Sequence, residues 1–190
     1  SLQISSVEGM VKAFDCEGNL EASSINSDVE LDDVSCVLVV ESINGDIHIG
    51  RARSQHVEAS SVNGTVVYGG AFEPQGHYRL ASHAGNLVVG VPVGAGVDVS
   101  VATFQGGFRS GFPMEVGPWR KGQKFNFVLG AGGSSLELES FQGLIELLRP
   151  SEVPSAPSAP RAPKPPKLVK VHRAPLPPAP PEAPEHKEDK

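Results

Sequence analysis

The chain has 190 residues, a formal net charge of −6 and 39% hydrophobic residues, enough for one ordinary domain and an appendage. Thirteen of its 17 Pro lie from Pro150 onward and nearly all the Gly lies before it, which sets an expected boundary: a β-strand-repeat domain over 1–149 and a Pro-rich, charged tail over 150–190. Residues 1–149 hold nine Lys/Arg against 17 Asp/Glu, a balance of −8, and the tail holds seven against five, a balance of +2; an acidic folded part lacks the clustered cations that nucleic acid or an anionic membrane requires.

No run of 18 or more apolar residues occurs, so no membrane-spanning helix is expected. The chain starts at Ser1, which leaves an upstream signal or anchor open. Cys16 and Cys36 are the only cysteines. They read either as a disulfide in an oxidising compartment or as two buried small apolar side chains.

A repeat runs through the domain. Its markers are Gly9, Ser27, Gly45, Gly64, Gly85, Gly106 and Gly143, at intervals of 18, 18, 19, 21, 21 and 37. Three positions before each stands a hydroxyl: Ser6, Ser24, Ser42, Ser61, Ser82, Thr103, Ser140. Two before stand Val7, Ile25, Ile43, Val62, His83, Phe104 and Phe141. Positions −7, −5 and +2 are apolar throughout, as in Leu38, Val40 and Ile47. Positions −7, −5 and −3 share one parity and one strand face, so each unit reads as strand, corner, strand. Gly at the corner is expected to supply φ > 0, and the hydroxyl to bond local backbone. The −1 row (Glu8, Asn26, Asn44, Asn63, Ala84, Gln105, Gln142) predicts amides stacked from unit to unit.

Two architectures fit. Asn44-Gly45 suits a type I′ hairpin turn in an antiparallel β-meander or sandwich. The alternative is an all-β, right-handed parallel β-solenoid of about seven coils. The apolar −2 residue favours the solenoid, on the expectation that it points into the core; Ile43→Asp is then expected to unfold the domain. Later in the chain, 68–77 forms a Gly-rich excursion and 97–101 a strand. Residues 112–116 and 124–129 read as two inserted strands, with Trp119 as a packing or capping residue. This insertion and the last unit are expected to cap the stack.

The units Ser-Ile-Asn-Gly-Asp-Ile (42–47) and Ser-Val-Asn-Gly-Thr-Val (61–66), the segment 91–106 and the Gly run leading into 135–147 together resemble the repeats of the bacterial DUF4097 adhesin-like family. The resemblance covers about 1–149. It implies a β-solenoid-like, extracytoplasmic protein of the cell envelope, periplasm or surface, with no established enzymatic activity and no catalytic residues to carry over. Ser27 in place of Gly and His83 at an apolar corner depart from the pattern.

No cofactor fingerprint or Ser-His-Asp set is legible, and His48, His56, His77 and His83 sit at different offsets. Asp28 and Asp46 stack at +1 beside Glu30 and His48; they read as a solvated strand face, with weak Ca²⁺ binding, aided by Asp32 or Asp33, as the functional alternative. An acid–base pair there would make a glycan-active enzyme. In the tail, Arg161, Lys164, Lys167, Lys170 and Arg173 recur every third residue, one edge of an otherwise disordered polyproline II segment. That edge reads as a soluble spacer or as a contact for an acidic partner. The leading functional expectation is a non-enzymatic adhesin-like module contacting envelope proteins or glycans. The second is a self-assembling, bactofilin-like scaffold, cytoplasmic in that case.

Overall fold

The structure, a computed structural model, describes residues 1–112 and 124–154. One compact unit spans Ser1–Pro157; the second, Ser158–Lys190, lies outside the described residues. So do residues 113–116 of the expected strand over 112–116, Trp119, and the tail's Arg161, Lys164, Lys167, Lys170 and Arg173.

The described chain is nearly all β. Its strands are β1 (Leu2–Ser6), β2 (Val11–Phe14), β3 (Glu17–Ser24), β4 (Val29–Asp32), β5 (Ser35–Ser42), β6 (Ile47–Ile49), β7 (His56–Ser61), β8 (Val66–Tyr68), β9 (His77–Ser82), β10 (Leu87–Gly90), β11 (Val97–Thr103), β12 (Gly107–Ser110), β13 (Lys124–Leu129), β14 (Ser134–Ser140) and β15 (Leu144–Leu148). The first strand of each repeat unit joins an eight-stranded sheet, ordered β1-β3-β5-β7-β9-β14-β11-β13. The second joins a seven-stranded sheet, ordered β12-β15-β10-β8-β6-β4-β2. All pairings are parallel except β11 with β13. Because β5 and β6 lie in different sheets, Asn44-Gly45 is a corner between sheets and not a hairpin turn.

Register follows the repeat. Leu20, Leu38, Val57 and Tyr78 are partners in turn across the first sheet, as are Val29, Ile47, Val66, Leu87 and Ile145 across the second. Alternation turns these rows inward, where both sheets share one core. Each fully buried Leu, Ile or Val contributes about 1.5–3 kcal/mol, and no single strand–corner–strand layer encloses a core by itself.

Three expectations are corrected. The first concerns the −2 row. Ser42 is 4% exposed, whereas Ile43 is 45% exposed; Val7, Ile25, Val62, His83 and Phe104 are exposed as well. The parity of −7, −5 and −3 continues to the corner, so the hydroxyl is the inward residue and its apolar neighbour faces solvent.

The second concerns the corner Gly. Of the seven markers only Gly9 has positive φ, at 111°. At the five remaining Gly markers it is close approach that excludes a side chain. A Cβ on Gly45, Gly64, Gly85, Gly143 or Gly106 would collide with the carbonyl of the marker residue in the layer before: Ser27, Gly45, Gly64, Gly85 and Gly143 respectively.

The third is layer order. The last unit does not cap the stack: β14 lies between β9 and β11, and β15 between β10 and β12. The cause is β13, which runs antiparallel along the outer edge of β11 and leaves β14 only the inner edge. Gly130, Gly132 and Gly133, all at positive φ, reverse the chain between the two strands. At this end Phe108, Phe125 and Phe127 pack as a cluster with centroids 5.1–6.0 Å apart. At the other end β1 and β2 are edge strands, with Leu2, Met10 and Phe14 exposed.

The excursion 68–77 is held by rings. The Tyr78 hydroxyl donates to the Ser54 carbonyl at 2.6 Å and accepts from the Glu73 N–H at 2.7 Å, and Phe72 packs against both Tyr68 and Tyr78. After β15 a 3-10 turn, Pro150–Glu152, brings Val153 against Gly69 and Gly90 on the outer side of the second sheet.

Candidate functional site

The corner between the sheets carries three parallel rows, and each has its own chemistry. The inner row is the hydroxyls. The Oγ of Ser42, Ser61, Ser82 and Ser140 accepts the N–H of the marker Gly three residues on, at 2.9–3.0 Å. Ser61 and Ser82 donate in turn to the carbonyls of Gly45 and Gly64 in the layer before, at 3.2 and 3.1 Å. A buried hydroxyl used both as donor and as acceptor carries little desolvation penalty. Thr103, in the terminal layer, has a buried Oγ1 with no partner.

Beside it runs the amide row. Asn44 donates to Asn26 at 2.9 Å and Asn63 to Asn44 at 2.8 Å, the stacking predicted from the −1 positions. At +1, Asp28 Oδ1 accepts the Asp46 N–H at 2.9 Å, Asp46 Oδ1 the Thr65 N–H at 2.7 Å, and Asn86 Oδ1 the Leu144 N–H at 2.9 Å. These side-chain oxygens therefore tie one layer's corner to the next. Among the described residues no group of three or more His, Cys, Asp or Glu converges as a metal ion needs.

The outer row is the −2 row. In spatial order it reads Val7, Ile25, Ile43, Val62, His83, Phe141, Phe104. Main-chain bonds of 3.1–3.2 Å from each of these residues to the corner hydroxyl residue of the layer before hold the row straight from Ile25 onward. At one end the rings stack. His83 and Phe141 have centroids 4.6 Å apart, and Phe141 and Phe104 4.8 Å apart, both pairs at 6° between planes. Phe141 is thus covered on both faces and presents its edge. Depressions flank the row. One lies among Ser23, Glu41, Ser60 and the Ile25–Ile43–Val62 segment; another lies among Ala81, Ala102, Glu139 and the three rings.

The remaining candidates are spread elsewhere. His48 sits opposite Glu30, which pairs with Lys12, on the outer side of the second sheet. His56 and His77 are direct register partners, both exposed, so these two share an offset after all. Asp32 and Asp33 both pair with Arg51, at 2.6 and 2.7 Å. Burial pushes the Asp32 carboxyl up, but the N–H and guanidinium of Arg51 and the N–H of Asp33 outweigh it and hold it below the usual value.

Sequence reasoning found the residues of the outer row but assigned them to the core. The signal that would have placed them is the parity already noted: an inward −3 makes −2 outward. No helix among the described residues is long and apolar enough to cross a membrane. Comparison with family models, curated proteins and solved structures returned no match.

Proposed function

We infer that the domain is a non-enzymatic, adhesin-like contact module, built as a right-handed parallel β-solenoid and working in the bacterial envelope. The parallel stacking of strand–corner–strand layers supports the solenoid, and right-handed crossovers are the strong rule for parallel strands. The observation that carries the function is the outer corner row: seven residues, six of them apolar, exposed or half-buried and aligned on successive layers. An aligned apolar stripe rimmed by amides is the pattern of an interaction surface.

A protein partner fits better than a glycan. Sugars stack on open ring faces, and here the faces of Phe141 are taken by His83 and Phe104. The test is retention of the chain on isolated bacterial envelope fractions, untreated or protease-treated. Protease-sensitive retention, lost in the Ile25→Ser/Ile43→Ser/Val62→Ser variant at unchanged melting temperature, is expected. Retention that survives protease points to a glycan, and retention indifferent to the triple variant overturns the reading.

The bare edges of β1 and β2 favour one further reading, a self-assembling scaffold. Against it, β13 covers the opposite edge of the first sheet in antiparallel sense, which blocks continued head-to-tail stacking there. Sedimentation giving filaments or large oligomers would favour the scaffold.

A further inference from the structure

Cys16 and Cys36 are 20 positions apart and belong to different layers, one in the connector before β3 and the other at the start of β5. In register, β3 places Gly18 opposite Cys36. Gly18 has no side chain, and a Cβ there would meet nothing within 4 Å, so the register partner of Cys36 adds no side chain at this position. The neighbour is supplied by Cys16. Asp15, at φ 50°, turns the chain just before it, the Cys16 carbonyl accepts the Ser35 N–H at 2.9 Å, and Cys16 packs against the core that holds Cys36. Both are free. Cys36 is buried in the core, whereas Cys16 is partly exposed and lines a depression at the open end of the stack with Leu2, Ile4 and Phe14.

We propose that Cys16 and Cys36 close a disulfide staple between the second and third layers when the chain meets a low-molecular-weight disulfide, and that this staple locks the open end. The roles are unequal. Burial, then the neighbouring Cys16 thiol, pushes the Cys36 thiol up to about 12, so the exposed Cys16 is the sulfur that reacts first. Its thiolate attacks one sulfur of the small disulfide; that S–S bond breaks and one small thiolate leaves, leaving a mixed disulfide on Cys16. Cys36 then loses its proton to solvent and attacks the Cys16 sulfur, displacing the second small thiolate. Two protein thiols are oxidised and one small disulfide is reduced to two thiols.

The position gives the staple its effect. Among the described residues β1 and β2, the first layer, have neighbours on one side only; opening of such a stack starts at its edge. A bond from the head of β3 to the head of β5 stops that opening at the second layer.

The experiment uses the full chain held in oxidised glutathione or in dithiothreitol. In the oxidised sample both thiols are expected to disappear with loss of two hydrogens from the intact mass and no added glutathione. Peptide mapping should join the segments containing Cys16 and Cys36, and the melting temperature should rise by about 5–10 °C. Cys16→Ser should melt alike in both buffers; if it does not fold, alkylation of native Cys16 before oxidation is the substitute control. A persistent glutathione adduct on Cys16, a disulfide between two chains, two thiols that stay free, or a closed disulfide without a rise in melting temperature would each overturn the proposal.

Discussion

Ser42 and Ile43 are consecutive and face opposite ways: the Ser42 Oγ accepts the Gly45 N–H at 3.0 Å inside the corner, while Ile43 stands in the exposed row. The polar residue is therefore the structural one. Ser42→Ala leaves the buried Gly45 N–H without its acceptor and is expected to cost about 1–2 kcal/mol, read by urea denaturation. Ile43→Asp, by contrast, should stay within about 0.5 kcal/mol of wild type, as surface substitutions do. Unfolding by Ile43→Asp would show that the corner faces the other way.

Gly64 lies under a carbonyl that leaves no space for a methyl group. Gly64→Ala forces two layers apart in the middle of the stack, and a loss of about 3 kcal/mol or more is expected. Thermal melting and amide exchange should agree, with protection lost in β7 and β8. A melting temperature near that of wild type would show that the layers can slide without penalty.

The Tyr78 hydroxyl ties the Gly-rich excursion to the layer beneath it through Glu73 and Ser54, beside the main-chain bonds from Gly69, Ala71 and His77 to that layer. Tyr78→Phe keeps the ring packing and removes both bonds, leaving a main-chain N–H and a carbonyl unpaired. A destabilisation of about 2 kcal/mol is expected. Chemical denaturation checks it, with an unchanged slope showing that the fold is retained.

Alkaline pH should weaken the fold. Burial raises Tyr68 and Tyr78 above their ordinary value of 10.0, and raises Cys36 from 9.0 to about 12. A folded-state value raised above the unfolded one means the folded chain binds more protons than the unfolded chain between the two values. The contribution is complete below pH 9 and is lost as pH rises toward the folded values. Denaturation midpoints measured from pH 8 to 11 should fall, and Tyr78→Phe should flatten the upper part of that fall. A midpoint independent of pH in this range would contradict the burial of all three groups.

Much of the layering was readable without coordinates. The period-two alternation around Leu38, Val40 and Ile47 is local, and it correctly turned those rows inward. The hydroxyl column and the Asn26–Asn44–Asn63 ladder were readable for the same reason, since an identical residue at an identical offset must stack once the layers do. Ile43 misleads because its apolar character points inward while its parity points outward, and parity wins. The reason for the corner Gly is not local, because the approach of a carbonyl from the layer before depends on neighbours 18 to 58 residues away. The position of β14 was out of reach altogether: nothing local in Ser134–Ser140 tells whether it joins β9 or β11, and only the antiparallel hold of β13 on β11 decides.

That position of β14 and β15 has a consequence for how the protein is made. A ribosome delivers the layers in numerical order, and the first five can zip onto one another as they emerge. The sixth cannot take its final place, because the layer that belongs between it and the fifth has not yet been synthesised. Both β9 and β11 pair in parallel with β14, which is made after them. Native closure waits for Leu148 to clear the exit tunnel and for the seventh layer to enter the gap. The order of synthesis and the order of stacking therefore differ at one place, and the seventh layer must enter between two that precede it in the chain.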